Sequence, residues 1–205
     1  NTLVIFSSDN GPEVPTVLSM RKDYNHDGAR PWRGVKRDNW EGGHRVPFIA
    51  RWPGKIKPGT RSSQTLSLTD LMATFAAITN VKLPKGAGED SVNMLPAFIG
   101  SDEGKSIRKY TLHQTISLAL AIRRGPWKYL DHRGSGGNNY DRSGRWGMKK
   151  YIVPEKEPQA PGQLYNLDTD PGETNNLYFK RSEIVKELKN KLEEFKRSGR
   201  SAPFS

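Results

Sequence analysis

The chain opens on a short apolar run that ends in polar residues. Residues 2–6 are Thr-Leu-Val-Ile-Phe, and Asp9, Asn10 and Gly11 follow shortly after. Such a run is typical of a strand that is buried on both faces. In an open α/β sheet, ligands bind just beyond the carboxyl ends of the strands, and Asp and Asn supply the hard oxygen atoms that Ca²⁺ and Mg²⁺ prefer. The alternative is a simple turn, because Asp, Asn and Gly all favour turns.

The composition limits the classes of protein to which the chain can belong. A length of 205 residues suffices for a domain or somewhat more, and 20 glycines and 14 prolines predict that much of it is loop. No apolar run approaches the ~20 residues that span a bilayer, and because a strand begins almost at once we expect no signal peptide in this chain. Without cysteine the chain has neither disulfides nor thiol chemistry, which does not identify a compartment. Because a core strand begins almost at once, we expect the later part of a longer protein, or a fragment.

The chain is strongly basic. Its formal net charge is +11, and residues 105–156 contain 12 Lys or Arg against 3 Asp or Glu. Such an excess favours polyanionic partners, namely nucleic acids, anionic membranes, or sulfated or phosphorylated polymers. The charge does not choose among these three classes of partner.

The first half of the chain has the pattern of an α/β domain. A loop is predicted at residues 10–45 and a strand at residues 46–50. Two helices are predicted, at residues 69–78 and 92–99. Thr69 is the predicted cap of the first helix, and Ser91 is the predicted cap of the second. We therefore take residues 1–104 as one domain.

The second half, residues 105–205, is predicted to form a small α+β subdomain. Short strands are expected at residues 110–113, 118–123, 127–130 and 164–167. Gly125-Pro126 predicts a hairpin between the second and third of these strands. A helix is predicted to begin at Ser182, and its apolar stripe is expected to pack on the small sheet. The intervening loop, 132–162, is longer than compact domains usually tolerate.

Three segments together carry a family resemblance. The first is Ser8-Asp9-Asn10-Gly11, the second covers 31–54 and contains Glu41-Gly42-Gly43-His44, and the third covers 164–177. In their order and in the residues they contain, these segments resemble the C-terminal part of the type I, formylglycine-dependent sulfatases of the alkaline-phosphatase superfamily. The resemblance covers nearly the whole chain, and the second segment is its most specific part. It implies the C-terminal portion of a doubly wound α/β catalytic domain, followed by a small α+β subdomain with a short antiparallel sheet and one packed helix.

The resemblance implies roles for three residues. Asp9 and Asn10 match the pair that binds the family's active-site Ca²⁺, for which Mg²⁺ is an alternative. Lys36 matches the lysine that contacts the sulfate group of the substrate. These roles are physically reasonable, because a cation and an ammonium beside the sulfate oxygens stabilise the charge that develops as the S–O bond breaks. We therefore take Lys36 as a catalytic residue and Asp9 and Asn10 as metal ligands.

Residues near Lys36 have more open interpretations. His26 and His44 lie in the loops that flank it and are candidates for substrate binding, although each could equally be an ordinary loop histidine. Glu41 is interpreted as structural, with its carboxylate binding neighbouring loop amides. Arg45 is either a buried pairing residue, which we favour, or a sulfate contact.

The basic long loop carries a separate hypothesis. Arg142 and Arg145 lie in it among aromatic residues, a pattern that also describes nucleic-acid surfaces. We favour a subsite for a sulfated glycan over nucleic acid, because the loop is expected near the mouth of the site. The alternative is a solvated or disordered loop.

The nucleophile of the family is missing from this chain. The family makes its formylglycine from Cys or Ser in the motif Cys/Ser-x-Pro-x-Arg. The only Ser-x-Pro here is Ser201-Ala202-Pro203, and Ser205 stands where the motif requires Arg. The remaining metal ligands also belong to the family's N-terminal part. We therefore expect this chain to be inactive alone and to need the N-terminal part of the same protein as its partner.

The sequence thus predicts part of a sulfatase. The full-length protein is expected to be an arylsulfatase-like sulfuric ester hydrolase that acts on a sulfated carbohydrate or a small sulfate ester. By the family resemblance alone, it is periplasmic or secreted. One alternative is a phosphonate or phosphate ester hydrolase of the same superfamily, because a metal and a lysine suit either tetrahedral anion. The other is a non-catalytic module that binds polyanions.

Overall fold

A computed structural model of the chain describes residues 1–141 and 147–203. The chain divides into two compact units. The first unit comprises Asn1–Ser7, Pro47–Thr111 and Leu192–Ser205, and the second comprises Ser8–Val46 and Leu112–Lys191. Each unit is therefore assembled from separate stretches of the chain. The division into domains at residues 104 and 105 stays a prediction.

The first unit contains a two-stranded antiparallel sheet. Strand β1 (Val4–Ser7) pairs with β2 (Phe48–Arg51), and Phe6 lies opposite Ile49. The side chains of Val4 and Phe6 are 52% and 63% exposed, so the prediction that this strand is buried on both faces was wrong. The physical reason is that the face carrying Val4, Phe6 and the opposite Ile49, which is 61% exposed, is not covered by the rest of the described chain.

Two helices follow in the first unit. Helix α3 (Leu71–Thr79) continues a 3-10 turn at Leu68–Asp70, and Ser67 and Asp70 form the cap in place of the predicted Thr69. Helix α4 (Leu95–Ile99) begins later than predicted, because the side chain of Asn93 accepts a hydrogen bond from the Leu95 amide (2.9 Å). The α/β character that the sequence predicts for this part of the chain is confirmed.

The second unit begins with two helices that the sequence did not predict. Helix α1 (Val14–Tyr24) and the short helix α2 (Glu41–His44) lie in the stretch predicted as loop. In α1 only Val14 and Val17 are buried, with Leu18 packed beside them, so the apolar stripe is confined to the first part of the helix and gives only a short sequence pattern. Glu13 accepts a hydrogen bond from the Val14 amide (2.9 Å) and caps its first turn.

The small antiparallel sheet is confirmed. Its strand order is β3 (Thr111–Gln114), β4 (Leu120–Arg124), β5 (Trp127–Leu130) and β6 (Gln163–Asn166). Strands β4 and β5 form the hairpin predicted at Gly125-Pro126. Helix α5 (Ser182–Ser198) begins at the predicted residue, and Val185 and Leu188 of its apolar stripe are buried. None of the helices in the described ranges is both long and apolar enough to cross a membrane.

Candidate functional site

The loop of Asp9 and Asn10 is held by its neighbouring glycine. Asp9 is exposed and Asn10 is half-buried. The Gly11 amide donates a hydrogen bond to Gly43 O (2.9 Å), and a Cβ added at Gly11 would lie 1.9 Å from Gly42 O. Only a glycine fits so close to another backbone. This contact therefore fixes the backbone position of the loop that carries the Asp9 and Asn10 side chains.

Lys36 lies in a tight turn beside this loop. The Asp38 amide donates to Val35 O (3.0 Å), and Arg37, at the third position of this turn, has a positive φ of 82°. The Lys36 amide donates to Pro12 O (3.0 Å), which joins the turn to the loop that carries Asp9 and Asn10. The structure thus brings together residues that are 26 or more positions apart in the sequence.

Glu13 is shared by two cations of this site. Arg37 donates hydrogen bonds of 2.5 and 2.7 Å to its two carboxylate oxygens, and Lys36 Nζ lies 3.8 Å from Oε2. The hydrogen bond from Arg37 lowers the pKa of the Glu13 carboxyl, against a smaller opposing effect of burial. Glu13 is therefore a carboxylate at neutral pH, and it faces the ammonium group of Lys36.

Asp9 and Asn10 fit the metal that the sequence predicts, but they do not complete its site. They offer a carboxylate and an amide oxygen, which are hard donors of the kind that Ca²⁺ takes, in numbers of about six to eight. Across residues 1–141 and 147–203, no group of three or more His, Cys, Asp or Glu could hold a metal ion. This pair is therefore suited to be part of a larger set of ligands.

Part of the long loop is anchored on the Lys36 turn through Asp38. The Asp38 carboxylate is buried and accepts hydrogen bonds from the Val35 amide (2.9 Å), Tyr140 Oη (2.6 Å) and Asn138 Nδ2 (2.8 Å). Asn138 Nδ2 also donates to Lys36 O (2.8 Å). Burial and the nearby charge of Asp38 raise the pKa of Tyr140 above its usual value, so its hydroxyl stays a donor.

A buried charge cluster lies behind the glycines of α2. Lys128 Nζ lies 3.0 Å from Glu41 Oε1, 3.1 Å from Glu173 Oε1 and 3.0 Å from His44 Nε2. The side chains of Lys128 and Glu173 are 0% exposed, and that of Glu41 is 2% exposed. The Glu41 carboxylate thus binds cations, and the prediction that it binds loop amides was wrong. It is Glu173 that binds an amide, since its Oε2 accepts a hydrogen bond from Glu41 N (2.6 Å).

The two carboxyl groups of this cluster differ in acidity. Burial acts to raise the pKa of Glu41, but Lys128 and Arg123 outweigh it and hold that pKa well below its usual range. Burial raises the pKa of Glu173 to about 7 against the opposing effect of Lys128, and the charge of Glu41 adds to the rise. Near neutral pH, Glu41 is therefore ionised while Glu173 titrates.

The two candidate histidines lie in different surroundings. His44 stacks on His113 with ring centroids 3.6 Å apart, and burial, followed by the charges of His113 and Lys128, lowers its pKa well below the usual range. Because an ammonium has only hydrogens to donate, His44 Nε2 accepts the bond from Lys128 and the ring is neutral. His26 is exposed just beyond the end of α1.

The other sequence candidates fall partly outside the described residues. Arg142 and Arg145 lie in the range 142–146 and are not described. Arg45 is a pairing residue, but it is exposed and not buried as favoured from the sequence: it donates a hydrogen bond to Glu41 (3.0 Å) and its guanidinium lies 3.8 Å from the centre of the Trp32 ring. Sequence reasoning missed Lys128 and Glu173, and the only signal for Glu173 was its place in the third motif segment.

Comparison with known proteins gives the same family throughout. The family model described as Sulfatase matches residues 1–81. The chain is 35% identical to an N-acetylgalactosamine-6-O-sulfatase of Bacteroides thetaiotaomicron, over 96% of this chain and 36% of that protein. It is 32% identical to arylsulfatase A of Bos taurus, over 91% of this chain and 35% of that protein.

Solved structures agree with these relatives. A sulfatase structure from work on the metabolism of multiple glycosaminoglycans by Bacteroides thetaiotaomicron superposes with a TM-score of 0.76 at 32% identity. That match covers 96% of this chain and 39% of the solved chain. The chain thus spans little more than a third of the length of the proteins to which it is similar.

Proposed function

Because the chain belongs to the sulfatase family and corresponds to its C-terminal part, we propose that the full-length protein hydrolyses sulfate esters on a sulfated carbohydrate. The observation that carries the proposal is the pair of backbone hydrogen bonds, Gly11 N to Gly43 O and Lys36 N to Pro12 O, that holds the Asp9 loop beside Lys36. A hard-oxygen pair and an ammonium on adjoining loops suit a tetrahedral anion.

In this proposal Asp9 and Asn10 are ligands of a Ca²⁺ ion, with Mg²⁺ as the alternative. When bound, the cation supplies positive charge to the oxygens of the sulfate group. The exposure of Asp9 supports the assignment, since its carboxylate is open to a ligand. The nucleophile, a formylglycine, and the remaining metal ligands are expected in the N-terminal part of the protein.

Lys36 is the proposed catalytic residue of this chain. Its ammonium group donates hydrogen bonds to the sulfate oxygens and stabilises the charge that grows on the leaving oxygen. Its Nζ now lies 3.8 Å from Glu13 Oε2, a carboxylate already bound by Arg37. Because Glu13 has this second partner, a sulfate group can take the ammonium of Lys36 without leaving Glu13 unpaired.

Substrate recognition is proposed to involve His26, His44, Arg142 and Arg145. The anchoring of Asn138 and Tyr140 on the Lys36 turn supports a place for the long loop beside the site. The two arginines follow Tyr140 closely in the sequence and carry the charge that a sulfated glycan requires. We further propose a periplasmic or secreted location, as the family resemblance implies.

The substrate class is tested with the full-length protein. We expect kcat/KM for an aryl sulfate, and for N-acetylgalactosamine 6-sulfate, to exceed that for the matching phosphate ester. A preference for the phosphate esters would instead support the phosphatase alternative. Binding of a sulfated polysaccharide without hydrolysis of any ester would support the non-catalytic module.

A further inference from the structure

The carboxylate of Glu41 lies outside the proposed catalytic set, yet it is held by several cations. Its Oε1 accepts a hydrogen bond from Lys128 Nζ (3.0 Å), and its Oε2 accepts from Arg45 (3.0 Å) and Arg123 (3.3 Å). The side chain is 2% exposed. A buried carboxylate in such a setting cannot shift without separating opposite charges in a poorly solvated place, which is unfavourable. Glu41 is therefore a fixed point of the second unit.

The backbone of α2, which begins at Glu41, is hydrogen-bonded to both loops of the site. Gly43 O accepts the hydrogen bond from the Gly11 amide (2.9 Å), and Gly42 N donates to Arg33 O (2.7 Å). The backbone of α2 packs so closely on the segment before Lys36 that no side chain fits between them: a Cβ at Gly42 would lie 2.3 Å from Gly34 O. One face of α2 thus supports the loop that follows Asp9 and Asn10, and another supports the turn that leads to Lys36.

We propose that Glu41 is a positioning residue, which through α2 sets the place of the metal-ligand loop and of the Lys36 turn. The inference rests on the proposed function for the roles of Asp9, Asn10 and Lys36. The coupling itself is a property of the fold, and it can be measured without turnover.

The chemistry of the cluster favours positioning over mere filling of the core. A buried ion pair is weak evidence for stability, since apolar groups of the same volume often stabilise a fold as well or better. Charged groups that are hydrogen-bonded to each other, however, keep a narrow range of distances and angles. Apolar side chains can shift against one another at little cost. Lys128 fixes Glu41 from one side, and Glu173 Oε2 fixes its backbone amide from the other.

The test compares Glu41→Gln with Asp70→Asn in the 205-residue chain. Asp70 is an equally buried carboxylate, paired with the guanidinium of Arg108, and it belongs to the first unit. Hydrogen exchange of backbone amides is followed in residues 9–13 and 33–38. Glu41→Gln is expected to accelerate exchange in both segments by about tenfold or more, as when a charge-assisted hydrogen bond is lost, and Asp70→Asn is not.

A second measurement uses Ca²⁺ as the probe with the full-length protein. Glu41→Gln is expected to weaken Ca²⁺ binding about 10–100-fold, as is usual for a residue that orients metal ligands, while Asp70→Asn leaves it unchanged. Should Glu41→Gln fail to fold, Arg45→Ala removes one half-exposed partner of Glu41 and must accelerate exchange in the same two segments.

The outcomes separate this inference from the proposed function. Exchange in residues 9–13 and 33–38 that is the same in Glu41→Gln as in Asp70→Asn would overturn the positioning role. Absence of any Ca²⁺ binding or sulfate release by the wild-type full-length protein would instead contradict the proposed function. The exchange comparison would still decide whether Glu41 positions the two loops.

Discussion

The charged side chains of the second unit form two groups that differ in exposure. Lys36 and Glu13 are 38% and 35% exposed, so their ion pair is weak and open to exchange with a ligand. Glu41, Lys128 and Glu173 are almost fully buried, so their charges are fixed in place. At the residue scale, exposure therefore separates the groups that can meet a substrate from the groups that hold the site together.

The buried cluster predicts a specific dependence of stability on pH. Glu173 has an ordinary pKa of 4.5 in the unfolded chain and a pKa of about 7 in the folded protein. Between pH 4.5 and about 7, its carboxyl group therefore holds a proton in the folded state that it loses on unfolding. Its contribution to the free energy of unfolding is therefore full below about pH 4.5 and declines as the pH rises to about 7. The slope is at most ~1.4 kcal/mol per pH unit.

Glu173→Gln is expected to remove this decline, because the amide does not titrate while its oxygen can still accept the hydrogen bond from Glu41 N. The free energy of unfolding is measured by urea denaturation between pH 5 and 8, about the range over which the group titrates. The relevant quantity is the difference between variant and wild type, which cancels the titration of other groups. If this difference did not grow in favour of the variant as the pH rises, Glu173 would not bind the proton.

At the scale of elements, the short helix α2 packs closely against both loops of the site. Helix α2 contains Gly42 and Gly43, whose backbone atoms approach the Asp9 loop and the Lys36 turn more closely than any side chain would allow. This explains why a segment that looks like flexible loop in the sequence instead forms a rigid support. The long helix α5 contributes apolar packing, through the buried side chains of Val185, Leu188 and Leu192.

Gly11→Ala is expected to destabilise the protein by about 1–3 kcal/mol, because its new Cβ would need space that Gly42 O occupies. Gly28→Ala is the matched control. A Cβ there would meet no atom closer than 3.7 Å, and its φ is not positive, so its effect is expected to stay within about 0.5 kcal/mol. Urea denaturation of both variants tests the pair, and equal midpoints would show that the contact between Gly11 and α2 is loose.

Elements with a clear hydrophobic pattern could be predicted from the sequence, and those without it could not. The hairpin at Gly125-Pro126 and the start of α5 at Ser182 follow from turn residues and an apolar stripe. Helix α1 has an apolar stripe only in its first part, and α2 has only four residues, so neither leaves a long periodic signal. The ion pairs of Lys128 could not be predicted from the sequence either. Glu41 is 87 positions away from Lys128 and Glu173 is 45 positions away, so only the fold brings them into contact.

At the scale of the whole molecule, the chain carries one part of a site in a family whose members are longer. The two proposed metal ligands and the proposed catalytic lysine lie on loops that contact α2. Their hydrogen bonds are within the second unit, so this part of the site is assembled by the chain itself. The net charge of +11 suits an anionic polymer as the substrate and predicts that its binding weakens as salt rises.

The central claim, that Lys36 acts on the sulfate group, is tested most directly by the rate of sulfate release from an aryl sulfate. The measurement compares Lys36→Met with Lys57→Met in the full-length protein, since Lys57 is an exposed lysine with no role in the site. We expect kcat/KM to fall about 10²–10³-fold in Lys36→Met, as when one donor to a developing oxyanion is lost, and to stay at the wild-type value in Lys57→Met. Equal activity of the two variants would contradict the account.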